Sequence, residues 1–498
     1  MSLHVLSSLM SSSAPHLSTT STKWDARLWG ILLTVSLVVG LDALDVSMVG
    51  VALPSIQADL GLSTSTLQWV VSGYVLTYGG LLLLGGRTAD LLGRRRVFLV
   101  AVAVFAVTSL LGGLVDDGGL LIATRLLKGV SAAFTAPAAL SIITTTFAEG
   151  PARNKALGIF AVFGASGYSA GLVFSGLLTE VGWRWTFFLP FPIALIALVA
   201  AFRVLPKEGR PERTGGYDFP GAVTGVGAML LLVYTVVEAP EVGWGASRTL
   251  LQFAVAAVLL AAFLAIERRS SHPLIRLGIL RSGPLARANL GAAVFFGGYL
   301  GFQFLVMQYL QSVLGWSAME TALGFLPAAL IVAFGSPRME PLIERFGTTV
   351  TIAGGVVAHL VAYVLFLALD RDAPYLVGTL PSMVLLGVGF MLAFASFNIQ
   401  GTAGIPDHEQ GLAGGLLNTS LQVGGAIGLA IVTAVLTANA EGATGSQALL
   451  NGFDPALYVV AGMALVGLVI AVSGLRGGRR PQAEPKPAED REYVYAAD

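Results

Sequence analysis

The chain has 498 residues, 29 acids against 29 bases, and no cysteine, which excludes disulfides, thiolate metal sites and thiol nucleophiles. Only 12% of it is charged and 55% is hydrophobic, against roughly a quarter charged in soluble domains, so it reads as a polytopic membrane protein. At about 20 residues per crossing, the length accommodates about fourteen helices with loops and tails to spare.

In chain order, residues 1–22 are rich in Ser and Thr, lack Lys and Arg, and hold no sustained apolar core. Residues 1–27 are therefore expected to be a disordered cytosolic tail, not a signal peptide. Apolar stretches predict spans near 28–53, 67–86, 97–115, 119–147, 156–179 and 185–203, then 219–239 and 248–266, and finally 287–311, 320–336, 348–369, 374–398, 411–437 and 455–475. Lys and Arg test this count, because they collect in loops on the cytosolic side. With the amino terminus inside, 24 of the 29 fall on inner segments, and only Arg184, Arg248 and Arg371 fall outside. A missed span would invert every later loop, so both ends are expected in the cytosol.

Two loops repeat. GGRTADLLGRRR (85–96) follows span 2 and MEPLIERFGTT (339–349) follows span 10, each with an acid three residues before a glycine: Asp90/Gly93 and Glu344/Gly347. Their offset of 254 residues, about half the chain, predicts duplicated six-helix halves, a common build for secondary transporters. The halves are 28–203 and 287–475. Residues 204–286 hold two inserted helices with flanking cytosolic loops, and 476–498, rich in Pro, Ala and charge, form a solvated tail.

GGRTADLLGRRR is similar to the signature loop of the major facilitator superfamily, and LDVSMVGVALPSI (44–56) resembles the helix 1 motif of its fourteen-helix drug:proton antiporter branch. LQWVVSGYVL, RLLKGVSAAF, GWRWTFF, YLQSVLGWS and GLAGGLLNTSLQVGGAIGLA extend the resemblance from about residue 28 to 475. It implies an all-α fold of two six-helix halves plus two extra helices, fourteen in all. It implies a conformational latch at Gly86, Asp90, Gly93, Arg94 and Arg95, and a proton-coupling pair of Asp45 with Arg125. Leu91, Gly50 and Lys128 stand where the family usually has arginine, asparagine and glutamine. The helix 5 motif, GASGYSAGLVFSG (164–176), carries Leu172 and Ser175 in place of proline and glycine, so the kink that proline would supply is absent. Gly164, Gly167 and Gly171, with Ser175, still form one small-residue stripe that allows close helix approach, with Gly176 beside it.

Asp42 and Asp45 lie inside span 1. An acid at that depth costs roughly 2.5–3.5 kcal/mol unless compensated. The two are i and i+3 on one face, and the only bases within any span are Arg125 and Lys128, also i and i+3, on span 4. Measured from Pro54 and from the outer start of span 4, Asp45 and Lys128 both sit about 13 Å deep. A charge-neutral quartet follows, with Asp42 and Lys128 as an added pair. Burial favours the protonated carboxyl and a nearby cation the ionised one, so a rocking motion that moves Arg125 relative to Asp45 would couple transport to protons. The plainer alternative is a static network locking span 1 to span 4.

Inward-facing polar and aromatic positions are candidate substrate contacts: Tyr74 on span 2, Tyr299, Gln303 and Gln311 on span 9, Phe394 and Asn398 on span 12, and Asn418 and Gln422 on span 13. They suit a large, mostly apolar ligand with a few hydrogen-bonding groups, although ordinary packing also accounts for the phenylalanines. His359, at mid-span, is expected to be neutral and hydrogen-bonded. No two histidines stand at ligand spacing, so neither a metal site nor an enzyme is expected.

The function expected is proton-driven efflux of lipophilic drugs or natural products across a bacterial cell membrane, by a monomer in the bilayer that uses the proton gradient, with no cofactor and no nucleic-acid partner. Proton-coupled uptake, or lipid transport, shares these features and differs in direction or cargo.

Overall fold

The computed structural model describes residues 24–147, 151–206, 218–270, 273, 277–368, 374–405, 410–439 and 445–474. The two tails expected at 1–27 and 476–498 lie wholly or largely outside them. Among the described residues there is no strand.

Fourteen long helices run in sequence among the described residues. The first six are α1 (Ala26–Leu60), α2 (Thr64–Leu92), α3 (Arg94–Leu114), α4 (Gly118–Thr146), α5 (Pro151–Val181) and α6 (Trp185–Val204). Next come α7 (Phe219–Val242) and α8 (Ser247–Arg269). The last six are α9 (Gly283–Gln308), α10 (Ala318–Gly335), α11 (Thr348–Leu367), α12 (Thr379–Thr402), α13 (Gln410–Ala438) and α14 (Gly445–Ser473). Thirteen are long and apolar enough to cross a membrane, and α2, 29 residues long, packs among them as the fourteenth.

Local chemistry sets the ends. Asp117 caps α4 by accepting from the Leu120 amide at 2.9 Å, and Ser317 with Glu320 forms a capping box on α10. Gly93 (φ 95°) separates α2 from α3, and Gly347 (φ 79°) stands at the equivalent place before α11. Span 1, expected to end at Leu53 before Pro54, instead continues as α1 to Leu60 and stops at Gly61, whose φ of 62° suits a left-handed cap. Proline removes one amide from the ladder, which a buried neighbourhood tolerates. Span 14 likewise begins ten residues earlier than expected, with Pro455 inside it.

The pairing of helices repeats. In the first six, α1 lies along α5, α2 along α4, and α3 along α4 and α6; in the last six, α9 lies along α13, α10 along α12, and α11 along α12 and α14. The two sets meet along α2/α13 and α5/α10, related seams of a duplicated build. The hairpin α7–α8 leans by α7 against α2 and α13, where Trp69 and Tyr234 rings lie 6.1 Å apart. α8 turns Leu251 and Val258 outward, 64% and 66% exposed, a surface suited to lipid.

The end of the bundle that carries Gly61 is drawn together. Gln311 donates to the Val51 carbonyl at 3.0 Å, Gln308 to the Gln57 side chain at 3.4 Å, and Gly176 of α5 abuts Met319 of α10 so closely that an added Cβ would lie 2.9 Å from its Cα. Here α9 runs on into a π-helical turn, Tyr309–Val313, a distortion frequent at functional sites.

Candidate functional site

α1 owes its position to small residues. A Cβ on Gly167 of α5 would lie 2.1 Å from the Gly40 carbonyl oxygen, and one on Gly171 2.0 Å from the Ser47 hydroxyl, so both glycines are required for backbone-level approach. Ser175 continues the stripe and donates to the Met48 carbonyl at 2.5 Å. Gly164 is looser, 3.7 Å from Val39, and Gly176 faces α10 instead. Clamped in this way, α1 turns Asp42 and Asp45 toward α4.

Asp45 has no exposed surface. Its Oδ2 meets Arg125 Nη1 at 2.5 Å and its Oδ1 meets Lys128 Nζ. Arg125 is anchored further: its Nε donates to the Val70 carbonyl at 2.9 Å and its guanidinium lies 4.7 Å over the Tyr74 ring. The Lys128 ammonium sits 4.7 Å from the Phe105 ring and 5.5 Å from Phe187. The expected pairing of Asp42 with Lys128 is not made, because Lys128 goes to Asp45. Asp42 instead accepts from Thr135 Oγ1 at 3.1 Å, and its buried Oδ1 has no partner among the described residues. The two cations both reach Asp45, and Asp42, one turn nearer the start of α1, is left to the Thr135 hydroxyl further along α4.

Around the seam between the halves lies a narrow cavity lined by Ser47 and Gly50 of α1, Tyr168 of α5, and Leu300, Gln303 and Met307 of α9. Tyr168 bridges it. The Gln303 amide donates to Tyr168 Oη at 2.6 Å, and Tyr168 Oη lies 3.4 Å from Tyr299 Oη. The Tyr299 ring packs tilted against Phe390, 4.9 Å away, and lies stacked on His359 at 5.9 Å. His359 is hydrogen-bonded as expected, to the Leu386 carbonyl at 3.0 Å and to Tyr363 Oη at 3.3 Å.

Of the expected substrate contacts, Gln303 lines the cavity and Tyr299 flanks it. Tyr74 does not: it is 1% exposed and packs beneath Arg125, because the guanidinium needs an apolar, electron-rich floor once desolvated. Gln311 is a tether between the halves at the Gly61 end. Phe394, 36% exposed, stacks on Phe390 at 5.0 Å, and Asn398 and Asn418 donate to their own helices at Phe394 and Gly414. Gln422 packs against Gly79 in the α2/α13 seam, where an added Cβ would lie 2.4 Å from its own.

In the loop, Gly93 makes the turn, and Gly86 faces Pro137 of α4. Arg95 donates to the Phe202 carbonyl at 2.9 Å and lies over the Phe202 ring, so it holds α3 to α6 within its own half. Arg94 opens α3, and the side chain of Asp90 lies outside what is described.

Tyr168 and Thr135 were not singled out from the sequence. Thr135 stands seven residues after Lys128, two turns along the same face, and that spacing is a usable signal. Tyr168 is the one large polar side chain among the small residues of GASGYSAGLVFSG.

Residues 35–429 match the family model of the Major Facilitator Superfamily. The chain is 38% identical to the puromycin resistance protein pur8 of Streptomyces alboniger, covering 87% of this chain and 86% of that one. It is 37% identical to the cephamycin export protein CmcT of Amycolatopsis lactamdurans, over 86% and 88%, and 33% identical to the lincomycin resistance protein of Streptomyces lincolnensis, over 93% and 94%. Its fold is similar to the crystal structure of the POT family transporter PepTSo, with a TM-score of 0.67 over 91% of this chain and 98% of that one at 18% identity. These matches and the apolar helices place it as a multi-pass protein of the bacterial plasma membrane. The chain belongs to the Major Facilitator Superfamily and is a membrane transporter, not an enzyme.

Proposed function

We propose that this protein is a proton-coupled efflux antiporter for antibiotic-sized, mostly apolar molecules, working as a monomer by alternating access between its halves. The observation that carries this reading is the buried ion cluster of Asp45, Arg125 and Lys128, set one residue from the inter-half cavity through Val46 and Ser47. Intramembrane ion groups are costly, and at the wall of a transport cavity they serve coupling. The relatives, named for resistance to or export of puromycin, cephamycin and lincomycin, support the direction and the cargo class.

The Lys and Arg distribution supports a cytosolic Gly93 end, along with both termini. On that orientation the Gln311, Gln308 and Gly176 contacts draw the halves together at the outer side. Cargo entering the cavity meets Ser47, Tyr168 and Gln303 as its hydrogen-bonding groups, on otherwise apolar walls. Replacing the Tyr168–Gln303 bridge by contacts to cargo loosens the bond between halves at mid-membrane.

The test is purified protein in liposomes with an internal pH dye, given puromycin and lincomycin. Substrate-dependent proton movement opposite to the drug is expected. Drug and protons moving together would make this a symporter, and drug movement with no proton current would remove coupling altogether.

A further inference from the structure

The four charged side chains of α1 and α4 are not equivalent. Each oxygen of Asp45 faces a cation, and the two positive charges oppose a proton there. Asp42, 8% exposed, is different: Oδ2 takes the Thr135 hydroxyl, and the buried Oδ1 takes no hydrogen bond among the described residues. An unpartnered buried oxygen is costly, and among the described residues it is the one carboxyl oxygen of the group with neither a cation nor a hydrogen-bond donor on it.

The cations differ too. Arg125 is tied to the Val70 carbonyl as well as to Asp45, over the Tyr74 ring. Lys128 has Asp45 and two aromatic faces, on a flexible four-carbon stem. The next carboxyl lies one turn away, a rise of about 4.5 Å, on the same face of α1. The groups around Asp42 are Thr135 and Lys128 from α4, Tyr74 and Tyr78 from α2, and Asp45 on its own helix.

We propose that the transported proton is carried at Oδ1 of Asp42, and that the Lys128 ammonium changes seat between Asp45 and Asp42 as that proton comes and goes. With the proton on Asp42, Arg125 and Lys128 both rest on Asp45, and the group carries one net positive charge. When the O–H bond breaks, the proton leaves to water on the side then open, the Asp42 carboxylate takes the ammonium, Asp45 keeps Arg125, and the group becomes neutral. The changed charge and pairing between α1 and α4 bias the two conformations. Asp45 is then the fixed anchor and Asp42 the carrier.

This rests on the proton-coupled reading above, and two measurements separate their failures. The first needs no substrate: infrared difference spectra of the reconstituted wild-type protein, taken across pH, should show a buried protonated-carboxyl band. That band is expected to vanish in Asp42→Asn and to shift without vanishing in Asp42→Glu; a band unchanged in Asp42→Asn overturns the proposal. The second is proton movement against counterflow of labelled puromycin in liposomes. Asp42→Asn should lose drug-driven proton movement at least ten-fold while counterflow falls far less, and Asp42→Glu should restore part of the proton movement. Wild-type proton movement in Asp42→Asn, or equal loss of both in monodisperse protein, overturns the assignment. If wild type moves puromycin without protons, the antiport reading fails, and the infrared band alone decides whether Asp42 holds a proton.

Discussion

Arg125 and Lys128 meet on one carboxylate, so removing that carboxylate leaves two desolvated cations with no partner. Breaking a buried pair in this way costs about 3–5 kcal/mol. Asp45→Asn is therefore expected to lower the thermal unfolding temperature of the detergent-purified protein as well as to stop transport, and Arg125→Ala should do the same. Lys128→Gln should be milder, because Arg125 still neutralises Asp45 and glutamine can keep a hydrogen bond to Oδ1. If all three variants melt together with wild type, the cluster contributes nothing to stability and its geometry has been misjudged. At the seam, Tyr168→Phe removes the hydroxyl that joins Gln303 to α5. A lost hydrogen bond is worth about 1 kcal/mol, so drug KM should shift about five-fold with little change in unfolding temperature.

At the level of elements, the α1/α5 contact is the one on which the acids depend. A methyl group on Gly167 would meet the Gly40 backbone at 2.1 Å, and backbone cannot rotate aside. Gly167→Ala is expected to cost about 1–3 kcal/mol through forced separation of the helices. Gly164→Ala, with its nearest neighbour at 3.7 Å, should be neutral and serves as the control. Equal melting temperatures for the two variants would mean that α1 and α5 are not packed at backbone distance.

For the whole molecule, alternating access requires the α5/α10 seam to open at the Gly61 end. The chain has no cysteine, so a single engineered pair can be read without background. Gly176→Cys with Met319→Cys places two thiols where the helices touch, α5 and α10 parting slightly to admit the new Cβ. Oxidation should lower drug transport to background and reductant should restore it. Undiminished transport by the cross-linked protein would show that this seam does not move. A clip at the same end, Arg184 to Asp59 at 2.7 Å and to Asp116 at 2.5 Å, joins α1, the α3–α4 turn and the α5–α6 turn within one half. The two carboxylates hold the Arg184 guanidinium above its ordinary pKa, the hydrogen bond it donates to Asp59 foremost. Its partners are largely exposed, so salt should screen it and Arg184→Ala should leave transport nearly unchanged.

Much of this molecule was legible in the chain. Apolar length and the alternation of basic loops gave fourteen spans, because a bilayer imposes one period on every crossing. The 254-residue offset between Gly93 and Gly347 marked the duplication, and two acids opposite two bases at one depth marked the cluster. What the sequence could not specify was who pairs with whom. Charge neutrality is satisfied equally by Lys128 on Asp42 or on Asp45, and only the rotation of α1 against α4, fixed by Gly40, Gly167 and Gly171, sends both cations to Asp45 and leaves Oδ1 of Asp42 unpartnered. The same holds for Tyr74 and Gln311, polar positions on inward faces that packing assigns to an arginine floor and an inter-half tether. Periodicity tells which face of a helix turns inward; the neighbour it meets there is a property of the assembled bundle.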